Sequence, residues 1–213
     1  MKYRLYTNSE RAWNAMREAI KNAKESIYWE SYIFTDDALG RAFLDLLKAK
    51  AAAGVRVKLI LDSVGSFQVL SSFAGELAAR GAEVLYFNRL LPWWNPTRLR
   101  MGWFVRTHRK LLILDGKVGF IGGVNVGGKY RRWHDLQLEV RGNVVRSFVR
   151  SFAKSYRMCG GADRITVPPR VLSGMDVAFL DHWPGARNTK RRVRGRKNAS
   201  SSRRRILCRT IGS

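Results

Sequence analysis

The chain has 213 residues and a formal net charge of +24, from 40 Lys and Arg against 16 Asp and Glu. Hydrophobic residues make up 46% of it and aromatic residues 11%, which excludes wholesale disorder and allows a packed core. Its charge favours polyanionic partners, such as phospholipid surfaces or nucleic acid, and says little about fold. Two cysteines without metal-ligand spacing exclude a disulfide framework and favour a reducing, cytoplasmic-side compartment.

Strands and helices alternate over the first 87 residues. The apolar spacing predicts helices at 12–23, 40–53 and 67–80, and strands at 27–34, 55–61 and 82–87. This alternation is typical of βαβ units. We therefore predict an α/β fold with a mixed, largely parallel sheet and helices on both faces.

The next stretch, residues 90–104, has no clean period and is rich in tryptophan and arginine. This composition suits a bilayer interface, and the alternative is a loop whose tryptophans cap the core. No secretory signal and no apolar window of about 18 residues is present, so membrane contact is expected to be peripheral. The candidate membrane-contact residues are Trp93, Trp94, Arg98, Arg100 and Trp103.

Three more strands and a helix are predicted downstream. The strands span 106–114, 117–121 and 136–140, with Asp115-Gly116 as a hairpin turn, and the helix runs from Val145 to about Cys159. Residues 1–160 are therefore predicted to form one α/β unit, followed by an extension over 161–186. Residues 187–213 are strongly basic, and we predict that this tail is disordered.

The residues around His108 carry the chemistry. In an extended chain His108 and Lys110 point the same way, because residues two apart share a face. The hairpin returns Asn125 towards them, and Gly122 and Gly123 would let backbone amides approach an oxyanion. This predicts a phosphate site in which an imidazole attacks phosphorus while Lys110 and Asn125 stabilise the oxygens.

The spacing His-x-Lys-x4-Asp-x6-Gly-x2-Asn, from His108 to Asn125, resembles the motif of the phospholipase D superfamily. Residues 27–40, 54–66 and 132–135 resemble the amino-terminal half of bacterial cardiolipin synthases. The resemblance implies phosphatidyl transfer on anionic, phosphatidylglycerol-like lipid through a phosphohistidine, with neither metal nor cofactor. It implies a phospholipase D-like half-domain at the cytoplasmic side of the inner membrane, in which His108, Lys110, Asp115 and Asn125 are catalytic and Asp135 supports the histidine.

The chain departs from that family in having one motif where two normally build a site. Neither His134 nor His182 has a Lys two residues on. We therefore expect either a homodimer or an inactive half-enzyme, which includes the hypothesis of a truncated or frameshifted chain. The alternatives are a homodimeric nuclease of the same superfamily and a non-catalytic remnant that binds anionic membrane or nucleic acid by charge.

Two carboxylates are left with two interpretations each. Asp115 is either a member of the site or simply the residue that a tight hairpin favours. Glu30 lies inside an apolar strand, so it either forms a wall of the site or pairs with a basic residue. His134 is interpreted as an ordinary polar residue, and no role is assigned to His182.

Overall fold

The computed structural model describes residues 2–69, 72–87 and 106–167. Seven strands in these ranges form one sheet. In chain order they are β1 (Lys2–Tyr6), β2 (Ser26–Ser31), β3 (Arg56–Asp62), β4 (Glu83–Phe87), β5 (Leu111–Leu114), β6 (Val118–Gly122) and β7 (Gln137–Arg141). Their order across the sheet is β1-β7-β6-β5-β2-β3-β4.

The described helices follow the apolar periodicity of the sequence. They are α1 (Ser9–Asn22), α2 (Ala38–Ala52), α3 (Ser72–Ala78) and α4 (Val145–Met158), with 3-10 turns at Phe67–Val69 and Gly128–Tyr130. Side-chain caps fix two of the starts. The Asn8 side chain accepts a hydrogen bond from the amide of Arg11 at 3.1 Å, and Asp37 accepts from the amides of Leu39 and Gly40 at 3.0 Å each.

Helices cover both faces of the sheet, as predicted. Because strand side chains alternate between the two faces, the apolar residues divide into two clusters. The cluster under α1, α2 and α3 includes Trp13, Trp29, Phe43, Leu59 and Phe73. The cluster under α4 includes Tyr28, Ile60, Ile113, Phe148 and Phe152.

The α/β class is confirmed, but the prediction of a largely parallel sheet is wrong. Among the seven described strands, only β2–β3 and β3–β4 are parallel pairs, while β5–β2, β6–β5, β7–β6 and β1–β7 are antiparallel. The connections explain this, because α2 and α3 supply the crossovers that parallel neighbours need, whereas β5 turns directly into β6. At that turn Asp115 and Gly116 have φ values of 52° and 61°, as a type I′ hairpin requires, so the predicted turn is confirmed.

Several predicted boundaries also shift. The predicted helix at 67–80 divides into the first 3-10 turn and α3, and the predicted strand at 106–114 pairs regularly only from Leu111. Strand β1 was not predicted; it is exposed along most of its length and pairs with β7. Of the predicted extension, residues 161–167 are described, and Ile165 packs into the cluster under α4. The predicted tail lies outside the described residues.

Candidate active site

The motif residues lie at one edge of the sheet. The carboxyl ends of β2 and β3 meet there with the amino end of β5, since Glu30 is opposite Leu111 and the two strands run antiparallel. The carboxyl end of β6 and the amino end of β7 lie at the same edge, where Gly122 is opposite Gln137. Residues 106–110 therefore run along this edge before β5 begins.

Buried and outward-facing residues alternate over this segment. Thr107 and Arg109 are buried, His108 is exposed and Lys110 is half-buried. The outward pair converges on Tyr32, whose ring centroid is 4.1 Å from that of His108 and 5.1 Å from the ammonium nitrogen of Lys110. The predicted shared face of His108 and Lys110 is what the structure shows.

Two buried carboxylates hold Thr107, the residue before the imidazole. The backbone amide of Thr107 donates to Oδ2 of Asp62 at 3.1 Å, and its hydroxyl donates to Oε1 of Glu30 at 2.8 Å. The other oxygen of Asp62 accepts the amides of Val64 and Gly65, both at 3.0 Å. Asp62 therefore ties the loop after β3 to the segment that carries His108.

Arg109 anchors the other side of the imidazole. Its Nη1 donates to Oγ of Ser155 at 2.7 Å and lies 3.4 Å from Oε2 of Glu30, and its Nη2 donates to Oγ of Ser151 at 2.5 Å. Ser155 in turn donates to Oε2 of Glu30 at 3.0 Å. An ion pair in the interior needs such hydrogen bonds to offset the loss of hydration, so the motif is fastened through its inward residues.

The surroundings favour a neutral imidazole beside a cation. Partial burial and, after it, the charge of Lys110 lower the pKa of His108 below its ordinary value of 6.5, against an opposing effect of Asp62. Burial also lowers the pKa of Lys110 below 10.5, and Asp135 opposes that shift. A neutral imidazole with an available nitrogen is the form that can act as a nucleophile.

Asn125 is at the same edge, after β6, and is 6% exposed. Its backbone carbonyl accepts from Nε1 of Trp13 at 2.9 Å. Its side-chain oxygen is buried and has no hydrogen-bond partner among the described residues. Buried polar atoms are normally paired, so this oxygen is an exception that can still accept a hydrogen bond from a donor.

The family model described as "Cardiolipin synthase, PLD-like domain" matches residues 16–154. This chain belongs to that family. Similar full-length proteins include cardiolipin synthase 2 of Bacillus cereus, 34% identical over 85% of this chain, and cardiolipin synthase A of Pseudomonas fluorescens, 33% identical over 71%. The chain spans about a third of their length, 35% and 32% respectively.

Solved structures show the same fold at lower identity. NucT from Helicobacter pylori superposes with a TM-score of 0.60 and 21% identity, over 74% of this chain and 97% of NucT. Nuc from Salmonella typhimurium, a phospholipase D family member, superposes with a TM-score of 0.54 and 18% identity, over 73% of this chain and 95% of Nuc.

In this phospholipase D-like domain Asp115 lies far from the candidate site, so its predicted catalytic role is wrong. Its carboxylate accepts from the backbone amides of Lys24, Glu25 and Ser26 at the opposite end of β2. Seven residue-to-residue steps of extended chain lead from His108 to Asp115, which is about 23 Å. The hairpin interpretation of Asp115 is the correct one.

Glu30 is fully buried, so it is not a wall of the site. Of its two interpretations, pairing with a basic residue is correct, and the partner is Arg109. An unpaired carboxylate inside the sheet would have been too costly. Glu30 acts on the site by holding Thr107 and Arg109.

The amides of Gly122 and Gly123 do not approach an oxyanion, which corrects that prediction. They donate to the carbonyls of Lys110 at 3.4 Å and Leu136 at 2.8 Å. Glycine is needed for a different reason: a Cβ would lie 2.1 Å from the Leu136 oxygen at position 122 and 2.6 Å from Oδ1 of Asp135 at position 123. The absence of a side chain at 123 thus makes room for the Asp135 carboxylate.

Asp135 is half-buried against Gly123 and interacts electrostatically with Lys110, whereas His134 is exposed. The candidate membrane-contact residues between 93 and 103, and His182, lie outside the described residues. Sequence reasoning missed Tyr32 and Asp62. The available signal was their position at the carboxyl ends of two predicted parallel strands, where functional groups of α/β sheets collect.

Within the described ranges, no group of three or more His, Cys, Asp or Glu residues is arranged to hold a metal ion. The same ranges contain no helix that is both long and apolar enough to cross a membrane.

Proposed function

We propose that this domain catalyses phosphodiester transfer on anionic glycerophospholipid, in the manner of a cardiolipin synthase, through a covalent phosphohistidine on His108. The observation that carries the proposal is the convergence of His108 and Lys110 on Tyr32, with the imidazole kept neutral. Membership of the family supports the reaction class. The proposed setting is the cytoplasmic surface of the inner membrane.

The first step forms a bond between an imidazole nitrogen of His108 and phosphorus of phosphatidylglycerol. The bond from phosphorus to the glycerol headgroup oxygen breaks, and that oxygen takes a proton from a general acid. In this proposal the ammonium of Lys110 and the side-chain N–H of Asn125 stabilise the charge on the phosphoryl oxygens. The charge of Asp135 favours the protonated form of Lys110 and so opposes the effect of burial on its pKa.

The second step reverses the first with a new alcohol. A hydroxyl of a second phosphatidylglycerol attacks phosphorus, the bond to His108 breaks, and the hydroxyl proton passes to a general base. Water in place of the alcohol would give phospholipase activity. We propose that the acid and base is the imidazole of a second copy of the chain, approaching the same edge of the sheet.

Trapping of the intermediate tests this proposal. The full chain, mixed with phosphatidylglycerol vesicles carrying ³²P in the phosphodiester, should retain an acid-labile, base-stable label that sediments with a dimer. His108→Asn should retain none. His134→Asn is the matched control and should be labelled like the native chain. A label that persists in His108→Asn would overturn the proposal.

The second candidate function is cleavage of nucleic acid by a homodimer. The net charge of +24 favours it, and so does the match to nearly the whole of NucT and Nuc, which shows that this fold occurs as a chain of one unit. Plasmid cleavage in EDTA that is lost in His108→Asn, without lipid turnover, would select this candidate. A monomer without any turnover would instead select the non-catalytic remnant.

A further inference from the structure

Exposed apolar side chains flank the candidate site on both sides. Val64 and Phe67 lie in the loop after β3, and Trp133 and Leu136 lie in the loop before β7. Phe67 is 64% exposed, Trp133 55% and Leu136 56%. Both loops are at the edge that carries His108, and four strand spacings separate β3 from β7, about 19 Å. We call these four residues the apolar rim.

The protein holds Trp133 in its exposed position. The ring of the buried Tyr130 meets its indole edge-on, with centroids 5.0 Å apart. The amide of Trp133 donates to the Tyr130 carbonyl at 3.1 Å, and its own carbonyl accepts from Oγ of Ser9 at 3.3 Å. A large aromatic side chain that is fixed in place yet more than half exposed is suited to contact with a partner.

Basic residues are close neighbours of Trp133 in the chain. Lys129, Arg131 and Arg132 are exposed in the same loop. Arg131 lies 3.3 Å from Glu10, and the ammonium of Lys129 lies over the Tyr130 ring. Tryptophan and leucine beside basic residues match a bilayer interface, where the indole sits among headgroups and the cations meet lipid phosphates.

We propose that the apolar rim docks onto an anionic bilayer, with Trp133 and Leu136 inserted at headgroup level, so that the His108 edge opens onto the lipid surface. The inference deepens the proposed function and rests on it for the choice of lipid. A self-contact through this loop would bring like charges together, which disfavours it. The second imidazole proposed above needs contact only near His108, whereas Trp133 lies towards the β7 side.

Vesicle binding tests the rim without any need for turnover. The full chain is sedimented with phosphatidylglycerol–phosphatidylcholine vesicles in about 0.5 M salt, which screens the charges of the basic tail. The double variant Trp133→Ala/Leu136→Ser should lower the partition coefficient about tenfold or more, because two apolar side chains no longer leave water. Tyr3→Ala is the matched control: Tyr3 is 60% exposed on β1, away from this edge, and its loss should change binding less than twofold.

A fluorescence experiment covers the case in which the double variant does not fold. Vesicles with brominated acyl chains should quench the native chain more than Trp133→Phe, because the difference reports Trp133 alone. The proposal would be overturned by equal quenching of the two chains or by unchanged vesicle binding of the double variant. It would also be overturned if Trp133→Ala dissociated a dimer, or if single-stranded DNA protected Trp133 and vesicles did not. His108→Asn should bind vesicles like the native chain, so docking and catalysis fail separately.

Discussion

The two halves of one sequence motif lie at the two ends of β5, and their polar side chains differ in how they are hydrogen-bonded. At one end the Asp115 carboxylate is saturated by three backbone amides. At the other end no side chain among the described residues hydrogen-bonds to the His108 imidazole, which faces outward beside Lys110. Motif membership therefore does not separate structural from chemical roles, whereas the hydrogen-bond inventory of each group does.

The end of β5 near His108 depends on the buried guanidinium of Arg109. Removing that side chain is expected to have the largest effect on stability. Arg109→Ala leaves the Glu30 charge unpaired in the interior, so the free energy of unfolding should fall by about 3–5 kcal/mol. Urea denaturation measures it. Arg132→Ala is the exposed-arginine control and should change stability by no more than about 0.5 kcal/mol.

If Arg109→Ala does not fold, Glu30→Gln keeps an acceptor for Thr107 and removes the charge. It should still destabilise the chain relative to the control. If Arg109→Ala and Glu30→Gln each lowered the free energy of unfolding no more than Arg132→Ala, the hydrogen bonds of Glu30 and Arg109 would not support the motif.

Asp115 provides the converse test at the hairpin end. Asp115→Ala removes the acceptor of three amides and places alanine at a positive φ, so we expect a loss of about 1–3 kcal/mol. Asp115→Asn keeps one acceptor oxygen and tolerates that backbone conformation, so its loss should be smaller. Turnover per folded molecule should be unchanged in both, and a selective loss of turnover would return Asp115 to the site.

The pH dependence of stability sharpens this test. Burial raises the pKa of Asp115, but the backbone hydrogen bonds outweigh burial and hold it below its ordinary value of 3.8. A carboxyl group whose pKa is lower in the folded than in the unfolded state stabilises the folded state at pH values above the unfolded-state pKa. This contribution disappears as the pH falls through the folded-state pKa. The stability difference between the native chain and Asp115→Asn should therefore narrow below about pH 4.

The smallest expected effect is electrostatic and confined to the site end. Lys110→Gln removes one of the two causes that lower the pKa of His108, so that pKa should rise towards 6.5. Histidine NMR titration measures it. Lys117→Gln, which removes an ammonium at the hairpin end, is the control and should leave the value unchanged. Equal shifts in both variants would mean that Lys110 does not act locally.

Local sequence patterns were sufficient for α1, α2 and α4, for the hairpin turn and for the shared face of His108 and Lys110. Each depends on residues within a few positions of one another. The pairing of β1 with β7 and of Glu30 with Arg109 joins residues far apart in the chain, and neither leaves a periodic signal. The requirement for glycine at 122 and 123 also arises from a distant approach, that of residues 135–137. Periodicity therefore predicted that His108 and Lys110 share a face, but not what holds them there.

The contact between His108 and Tyr32 gives the imidazole of His108 a distinctive NMR signal. With centroids 4.1 Å apart and planes inclined by 32°, the ring current of the tyrosine displaces the carbon-bound proton resonances of His108. Among the described residues, His134 has no such aromatic neighbour. The resonance that moves on lipid binding can consequently be assigned by one Tyr32→Leu spectrum, and it reports occupancy of the site even where turnover is too slow to detect.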